Sequence, residues 1–165
     1  MITMKSILIP TDFTTSSLRL ISAATAHFKG QLLQIHLVHA LEPDDSIAGL
    51  LYLNKRPKLH SLYNDTFLQA CEMIKNKYAS VISKISIAFY LGNSENSKNS
   101  FLNTRGIDAI VLPVNYSYKD CSSGHSVAPV MLWENTSLAI IYLSLPEHRP
   151  VLPSMENSMA VLLDS

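Results

Sequence analysis

The sequence predicts an α/β fold in which helices cover both faces of an open, doubly wound, five-stranded parallel sheet. Three observations predict it: five short apolar runs, segments of helical periodicity between them, and tight connections from strand to helix. A chain of 165 residues fits one domain of this class and is long enough to bury most of its unfolded surface in a single core.

The first forty residues predict a β-α-β unit. Residues 5–10 form a short apolar run ended by proline, which is typical of a buried strand. Thr14 offers an N-cap for a helix with apolar residues at three- and four-residue steps, and Gly30 ends it. Residues 31–40, rich in Leu, Ile and Val, predict the second strand. Right-handed crossover makes the two strands parallel.

The middle of the chain predicts a loop, a helix and a third strand. Periodicity lapses from residue 41 to about residue 56, where a Glu-Pro-Asp-Asp sequence marks the exit from the sheet. Beyond Pro57, apolar residues return at helical spacing as far as Val81, which predicts one long helix or two short ones. Residues 83–91 then alternate apolar and smaller side chains, the period-two pattern of a strand.

A second helix–strand pair follows the third strand. Residues 93–105 are rich in Ser and Asn, so their helix has weak propensity and must depend on tertiary packing. Gly106 is the expected C-cap of this helix. Residues 107–114 predict the fourth strand.

The last pair closes the domain, which we expect to span residues 1–145. Residues 126–134 predict a short helix whose first turn tolerates Pro129, and residues 137–143 predict the fifth strand. Residues 146–165 form a C-terminal tail. It carries apolar residues that could dock on a neighbour: Met159, Val161, Leu162 and Leu163.

The composition argues against two classes of partner. Thirteen basic residues balance thirteen acidic ones, and the basic ones never cluster beyond residues 55–58, so no nucleic-acid-binding face is predicted. Apolar runs stop well short of the roughly 20 residues that a membrane-spanning helix needs. Residues 1–5 lack the features of a signal sequence. We therefore expect a cytoplasmic protein that binds neither nucleic acid nor membrane.

The cysteines and histidines give little support to redox, metal or nucleophilic chemistry. Cys71 and Cys121 lack CxxC spacing, which suits a reduced compartment, and Cys71 is expected in the core. Cys121 and His125 could pair as nucleophile and base, but they share a polar loop expected to face solvent. His36 and His39 lie three apart on a strand and so on opposite faces, which prevents shared metal ligation. We predict no enzyme, metal or cofactor.

Three stretches of the sequence resemble the universal stress protein family. Residues 5–43 place Pro-x-Asp at the end of the first strand, a Ser/Thr-capped helix next, and Val-His at the close of the second strand. Residues 106–111, Gly-Ile-Asp-Ala-Ile-Val, are similar to the family's Gly-Ala-Asp-Leu-Ile-Val, and residues 126–128 match its Ser-Val-Ala. The resemblance covers roughly residues 4–143. It implies a Rossmann-like sheet of strand order 3-2-1-4-5 and a homodimer formed through the fifth strand.

The resemblance also shows where this sequence departs from the family. One branch grips ATP phosphates with G-x2-G-x9-G-[S/T], whose glycines let backbone N–H groups approach the phosphates. The overlay puts Pro113 at the first glycine and Tyr116 at the second, and both residue types obstruct a phosphate. At the third glycine the count reaches Ser126, whereas our preferred alignment, one residue shorter, puts His125 there and keeps Ser126 as the hydroxyl. The chain is therefore identified as a member of the branch without the motif.

Ligands of such sheets bind beyond the carboxyl ends of the strands, where the strand order reverses. The candidate ligand-cleft residues are Thr11, Asp12, His39, Ala40, Pro113, Asn115 and Ser126. Asp12 stands where family members contact the adenine end of the nucleotide, but it could equally cap the helix that follows. Ser126 could donate to an anion or serve as a plain N-cap.

Three aromatic residues fall around the place where phosphate would lie: Tyr116, Tyr118 and Trp133. We expect them to fill the vacated cleft as core or as a subunit contact. The alternative is a pocket for a flat or apolar ligand.

Two functions remain open. The first is a non-enzymatic stress-response or regulatory protein that acts by dimerisation and contact with an unknown protein partner, without ATP binding. The second is a nucleotide or other small-ligand binding module that uses the cleft at the carboxyl ends of strands 1, 2 and 4. We favour the first because the family's order of elements is present without its phosphate glycines.

Overall fold

The structure, a computed structural model, describes residues 3–41, 63–92, 94–119 and 128–146. Its strands form one five-stranded sheet in which every neighbouring pair is parallel and the order is β3-β2-β1-β4-β5. The strands are β1 Met4–Pro10, β2 Leu32–Leu41, β3 Ile82–Leu91, β4 Ala109–Pro113 and β5 Ala139–Leu143. The predicted fold class and strand order are confirmed.

Helices in the described ranges lie on both faces of the sheet. They are α1 Arg19–His27, α2 Asp65–Lys77, α3 Glu95–Thr104 and α4 Pro129–Trp133, with a 3-10 turn at Thr15–Leu18. Helices α1 and α2 pack on one face and contribute to the larger apolar core. Helices α3 and α4 pack on the other face, where Leu102 and Trp133 join a smaller core. None of these helices has the length and hydropathy to span a membrane.

The first β-α-β unit forms as the sequence predicts, with one difference. Strands β1 and β2 pair in register from Met4 opposite Leu32 to Pro10 opposite Val38. The predicted N-cap, Thr14, accepts a hydrogen bond from the backbone of Ser17, but it caps the 3-10 turn that precedes α1. The chain reverses after α1 at Gly30, whose φ of +89° favours glycine.

Helix α2 lies within the predicted helical segment and is capped at its N-terminus by Asn64, whose side chain accepts from the backbone N–H of Phe67 at 2.9 Å. The stretch predicted as a loop after the second strand falls, beyond residue 41, outside the described residues. Cys71 is buried in the larger core, as expected. The predicted helix and third strand are confirmed within the described ranges.

The serine-rich segment does form a helix, α3. Ser94 and Ser97 bond reciprocally in a capping box at its N-terminus. Gly106 follows with a φ of +63°, which confirms the predicted glycine stop. These local bonds, together with the burial of Leu102, offset the poor helix propensity of the Ser and Asn residues.

The last elements are shorter than predicted. Strand β4 begins two residues late because Asp108 still forms the connection, although its N–H already donates to the carbonyl of Ser6 at 2.8 Å. Strand β5 begins at Ala139, and α4 holds only five residues, with Pro129 at its start as expected. Residues 147–165, which include most of the predicted tail, lie outside the described residues.

Candidate functional site: the carboxyl edge of β1 and β4

Most of the predicted ligand-cleft residues lie at the carboxyl edge of the sheet. Thr11 and Asp12 directly follow β1 and are buried. His39, near the end of β2, contacts Thr11, with 2.8 Å between its Nδ1 and the Thr11 carbonyl oxygen. Because a carbonyl oxygen only accepts, Nδ1 carries the proton. Ala40 packs in the smaller core, on the opposite face from His39.

Pro113, at the end of β4, and Asn115, just beyond it, make their described contacts with β5 and its exit. Pro113 is buried at the end of β4 and pairs with Leu143 of β5. Asn115 is exposed, and its side-chain oxygen accepts from the backbone N–H of Leu145 at 2.9 Å. Ser126, Cys121 and His125 lie outside the described residues.

Both carboxylate oxygens of Asp12 are occupied by the protein itself. Oδ1 accepts from the hydroxyl of Thr14 at 2.6 Å and from its backbone N–H at 3.2 Å. Oδ2 accepts from the hydroxyl of Tyr116 at 2.7 Å and from the backbone N–H of Lys119 at 2.8 Å. Asp12 is only 2% exposed. Of its two predicted roles, ligand contact or helix cap, the structure shows hydrogen bonding around the turn that leads into the helix.

Tyr116 and Tyr118 cover this carboxylate. Their rings meet edge to face with 5.0 Å between centroids, and the hydroxyl of Tyr118 donates to the carbonyl of Pro10 at 3.4 Å. Burial, followed by the hydrogen bond to and the charge of Asp12, raises the pKa of Tyr116 to about 12, although the bond to Thr14 opposes the shift. Burial and the same charge also raise the pKa of Tyr118. Both phenols are therefore neutral donors at physiological pH.

The expected aromatic group is only partly formed. Tyr116 and Tyr118 fill the space beside Asp12, but Trp133 does not join them. It lies on the opposite face with Tyr90 and Phe101, at centroid distances of 5.4 and 6.1 Å. The reason is topological: α4 connects β4 to β5 across the other face of the sheet, so the expectation that placed Trp133 in the cleft was wrong.

Phe13 is a site residue that the sequence analysis missed. Its φ of +61° lies in the left-handed region, which costs a non-glycine residue roughly 1–3 kcal/mol. Its ring is buried among aromatic rings at centroid distances of 5.0 to 5.6 Å: His39, Tyr63, Phe67 and Phe89. Its N–H donates to the hydroxyl of Thr11 at 3.1 Å. The ring packing and this hydrogen bond stabilise the turn that carries Asp12. No residue pattern in the sequence predicts the left-handed conformation of Phe13.

The two strand histidines lie on opposite faces, as predicted. His39 contacts Phe13 in the larger core, whereas His36 lies beside Ser86 on the other face, with 3.3 Å between its Nδ1 and the Ser86 hydroxyl. Within the described ranges, no three His, Cys, Asp or Glu side chains lie close enough together to hold a metal ion.

The fold and this edge define a Rossmann-like α/β domain in which both oxygens of Asp12, at the edge of the sheet where ligands usually bind, accept hydrogen bonds from the protein itself. The universal stress protein UspA from Lactobacillus plantarum aligns with 84% of this chain and 97% of that chain, at 14% identity and a TM-score of 0.51. The hypothetical protein MJ0577 aligns with 85% of this chain and 95% of that chain, at 16% identity and a TM-score of 0.51. The hypothetical protein PH0823 aligns with 87% of this chain and 99% of that chain, at 16% identity and a TM-score of 0.50.

These likenesses show that the chain has the universal stress protein fold, which confirms the predicted resemblance at the level of fold. No protein-family model and no curated protein matches the sequence.

Proposed function

We propose that the chain is a universal stress protein-like stress-response or regulatory protein of the cytoplasm that acts by homodimerisation and contact with a protein partner. It works without catalysis and without binding ATP. The observation that carries the proposal is the complete occupation of Asp12 by Thr14, Tyr116 and the backbone of Lys119.

A ligand at Asp12 would have to displace the protein's own donors. A carboxylate offers about four acceptor positions, and here four hydrogen bonds fill them. Removing Tyr116 or the Lys119 amide from Asp12 without an equivalent acceptor costs roughly 1–3 kcal/mol for each buried donor. A nucleotide hydroxyl gains no more from Asp12 than Tyr116 already does. The state in which Asp12 is bonded by the protein's own donors is therefore favoured over a ligand-bound state.

The backbone after β4 offers little to a phosphate. Pro113 has no N–H to donate, and the N–H of Val114 donates to the carbonyl of Leu143 in β5 at 3.0 Å. The next donor in this segment that the structure pairs, the N–H of Lys119, is held by Asp12. These bonds support loss of the phosphate grip that glycines provide in the ATP-binding branch.

Strand β5 supports dimerisation. It forms one edge of the sheet, and every residue from Ala139 to Leu143 is at least partly exposed, although strands of parallel sheets are normally buried on both faces. Apolar side chains are exposed around it, with Tyr142 at 50%, Met131 at 76% and Val114 at 63%. An edge with this surface promotes pairing with another strand, and β5 of a second copy is the partner we propose.

Nucleotide binding is tested by thermal unfolding with and without millimolar Mg·ATP. We expect no shift in Tm for the native protein, which has Asp12 occupied. Tyr116→Ala, which removes the phenol from Asp12, is measured beside it, with Tyr78→Ala, at another half-exposed tyrosine directly after α2, as the matched control outside the site. A shift in the native protein would contradict the proposal.

The same experiment distinguishes the proposed function from the alternative, a small-ligand binding module. One observation favours that alternative: the side chain of Tyr116 is half-exposed, so its movement would open Asp12 to a ligand. A shift seen only after Tyr116→Ala would show that Asp12 retains a latent site that the native chain closes. Asp12→Ala in that background should abolish the shift.

Dimerisation is tested by light scattering after size-exclusion chromatography. Tyr142→Glu places a charge on the exposed part of β5 and should convert a dimer into a monomer. Leu68→Glu, at a comparably exposed apolar position on α2, is the control and should leave the mass unchanged. A monomeric native protein would refute the dimer.

A further inference from the structure

A basic patch lies on the α3 side of the sheet, away from Asp12. We define it by His36 on β2, Lys84 on β3 and Arg105 after α3. Strand register puts His36 opposite Ser86 and Gln34 opposite Lys84, so the residues of β2 and β3 are direct neighbours on one face. Arg105, the residue after α3, lies on the same side of the sheet, with its guanidinium carbon 3.9 Å from the ring centroid of Phe101, and its charge acts on the imidazole of His36.

Two groups of this patch, Nε2 of His36 and the guanidinium of Arg105, have no hydrogen-bond partner among the described residues. His36 is 7% exposed, and its Nε2 is closed to solvent without any hydrogen-bond partner. Arg105 is half-buried, and among the described residues its guanidinium lies against the face of Phe101. Lys98 on α3 differs from them because its buried ammonium has acceptors. It donates to Glu95 and to the carbonyl of Leu132, each at 3.0 Å.

The charges around His36 are positive. Burial, then the charge of Arg105, then that of Lys84 lower the pKa of its imidazole. Asp108 is the acidic group on the adjoining connection, and its carboxylate accepts from the backbone N–H of Ser6 at 2.9 Å. Among the described residues it forms no ion pair with Arg105 or Lys84. Within the described part of the chain, the imidazole and its basic neighbours therefore have no counter-charge.

A bound acceptor would resolve this arrangement. Buried donors are almost always satisfied by protein, ordered water or a ligand, and a closed Nε2 cannot use bulk solvent. Nε2 can be reached only when the side chains that close it shift. A water that then accepted from Nε2 would leave the two cations uncompensated, whereas an anion would accept from Nε2 and also pair with the guanidinium, whose planar donors match an oxyanion.

We propose that His36, Arg105 and Lys84 form a binding site for a small tetrahedral oxyanion, either free phosphate or sulfate or the terminal group of a small metabolite. Arg105 supplies the main charge-assisted hydrogen bonds, and Lys84 adds charge at the exposed rim. In this proposal Nδ1 of His36 accepts from the Ser86 hydroxyl, which puts the ring proton on Nε2, and Nε2 donates to the anion at the floor of the site once the side chains that close it shift. This site does not depend on the function proposed for the Asp12 edge.

The test follows the imidazole of His36 by nitrogen-detected NMR while inorganic phosphate is added at constant ionic strength, with sodium chloride as the matched salt. We expect a saturable shift of the His36 nitrogens and little change at His39. A chloride titration that produces the same shift, or a phosphate titration that produces none, would overturn the proposal. Either result would mean that the patch does not bind an oxyanion selectively.

Three variants assign the site. Lys84→Gln changes an exposed residue and should weaken phosphate binding about two- to fivefold, the effect of one solvent-exposed charge. Arg105→Gln should weaken it about tenfold or more, because charge-assisted bonds are lost. Lys75→Gln, on α2 across the sheet, is the control and should bind as the native protein does. Equal affinity of Lys84→Gln, Lys75→Gln and the native protein would refute the site even if Arg105→Gln failed to fold.

The dependence on pH gives a second readout. Sulfate remains a dianion between about pH 5 and 8, so any change in its affinity over this range reports on the protein. Because an anion favours the imidazolium while Arg105 and Lys84 oppose it, sulfate should raise the pKa of His36 and bind more tightly as the pH falls. Sulfate affinity that does not change with pH would contradict the role of Nε2.

Discussion

The Asp12 edge and the basic patch are both polar regions next to an apolar core, but they differ in how their polar atoms are satisfied. At the Asp12 edge, each carboxylate oxygen accepts two hydrogen bonds. In the basic patch, Nε2 of His36 and the guanidinium of Arg105 have no acceptor among the described residues. The Asp12 edge, which the sequence resemblance marks as a ligand site, has its polar atoms hydrogen-bonded within the protein. The basic patch, which the resemblance does not mark, has polar atoms without such partners.

Residue type and hydrogen-bond satisfaction are therefore separate indications of a ligand site. Asp12 has the residue type expected of a ligand contact, yet its neighbours have already used its capacity. A buried donor without a partner is the stronger indication of a missing ligand, because leaving it unpaired costs roughly 1–3 kcal/mol. Mutations in the two regions should therefore act in different ways.

We expect the largest effect from Asp12→Ala. It leaves the hydroxyl of Tyr116 and the N–H groups of Thr14 and Lys119 without their acceptor and should lower the free energy of unfolding by about 3 kcal/mol. Urea denaturation followed by circular dichroism measures it. A loss below about 1 kcal/mol would mean that water replaces the carboxylate at little cost, and the contrast between the regions would fail.

Tyr116→Phe should have an intermediate effect. It removes one hydrogen bond to a charged acceptor but keeps the ring against Tyr118, so we expect a loss of about 1.5 kcal/mol in the same denaturation experiment. The matched change, Tyr142→Phe, removes an exposed hydroxyl that donates to Glu134 at 2.9 Å. It should cost less than about 0.5 kcal/mol. Equal losses in the two variants would show that the bond to Asp12 has no special strength.

His36→Leu should change stability by less than about 1 kcal/mol in phosphate-free buffer. It removes a buried imidazole whose Nε2 has no partner, and the apolar replacement suits the surrounding strands. A gain in stability would sharpen the comparison. A loss as large as that of Asp12→Ala would contradict it, since it would show that the imidazole is well satisfied in the folded protein.

We expect the smallest effect from pH. The pKa of His36 lies below its ordinary value of 6.5 in the folded protein, so the unfolded chain binds the proton more readily. Stability should be full above about pH 6.5 and fall as the pH drops below it. Thermal unfolding of the native protein and His36→Leu in phosphate-free buffer gives the difference, which should vanish if His36 is not responsible.

Most of the fold could be predicted from the sequence because it depends on local and periodic signals. Apolar runs, the Thr14 cap and the Gly106 stop each reflect a backbone requirement of one element. The errors came at element ends and in α4, where tertiary pairing sets the limits. Strand β4 is shorter than its apolar run because Asp108 is still part of the connection that bonds to Ser6.

The candidate site was less predictable because it depends on contacts between distant residues. The sequence placed Asp12 at the right edge, but the bond from Tyr116 joins residues that are far apart in the chain. Trp133 was assigned to the wrong face, since spacing in sequence does not tell which side of the sheet a crossover helix covers. The left-handed conformation of Phe13 has no signal in the residue types around it.

The bond between Asn115 and the backbone of Leu145 has a consequence for communication across the molecule. Asn115 precedes the tyrosine that covers Asp12, and Leu145 follows the edge strand at which we propose dimerisation. Arg19 of α1 further anchors this exit by donating to the carbonyl of Pro146 at 3.0 Å. Displacement of Tyr116 is therefore expected to disturb the end of β5, so that under the proposed function a change at the Asp12 edge would also affect the proposed subunit contact.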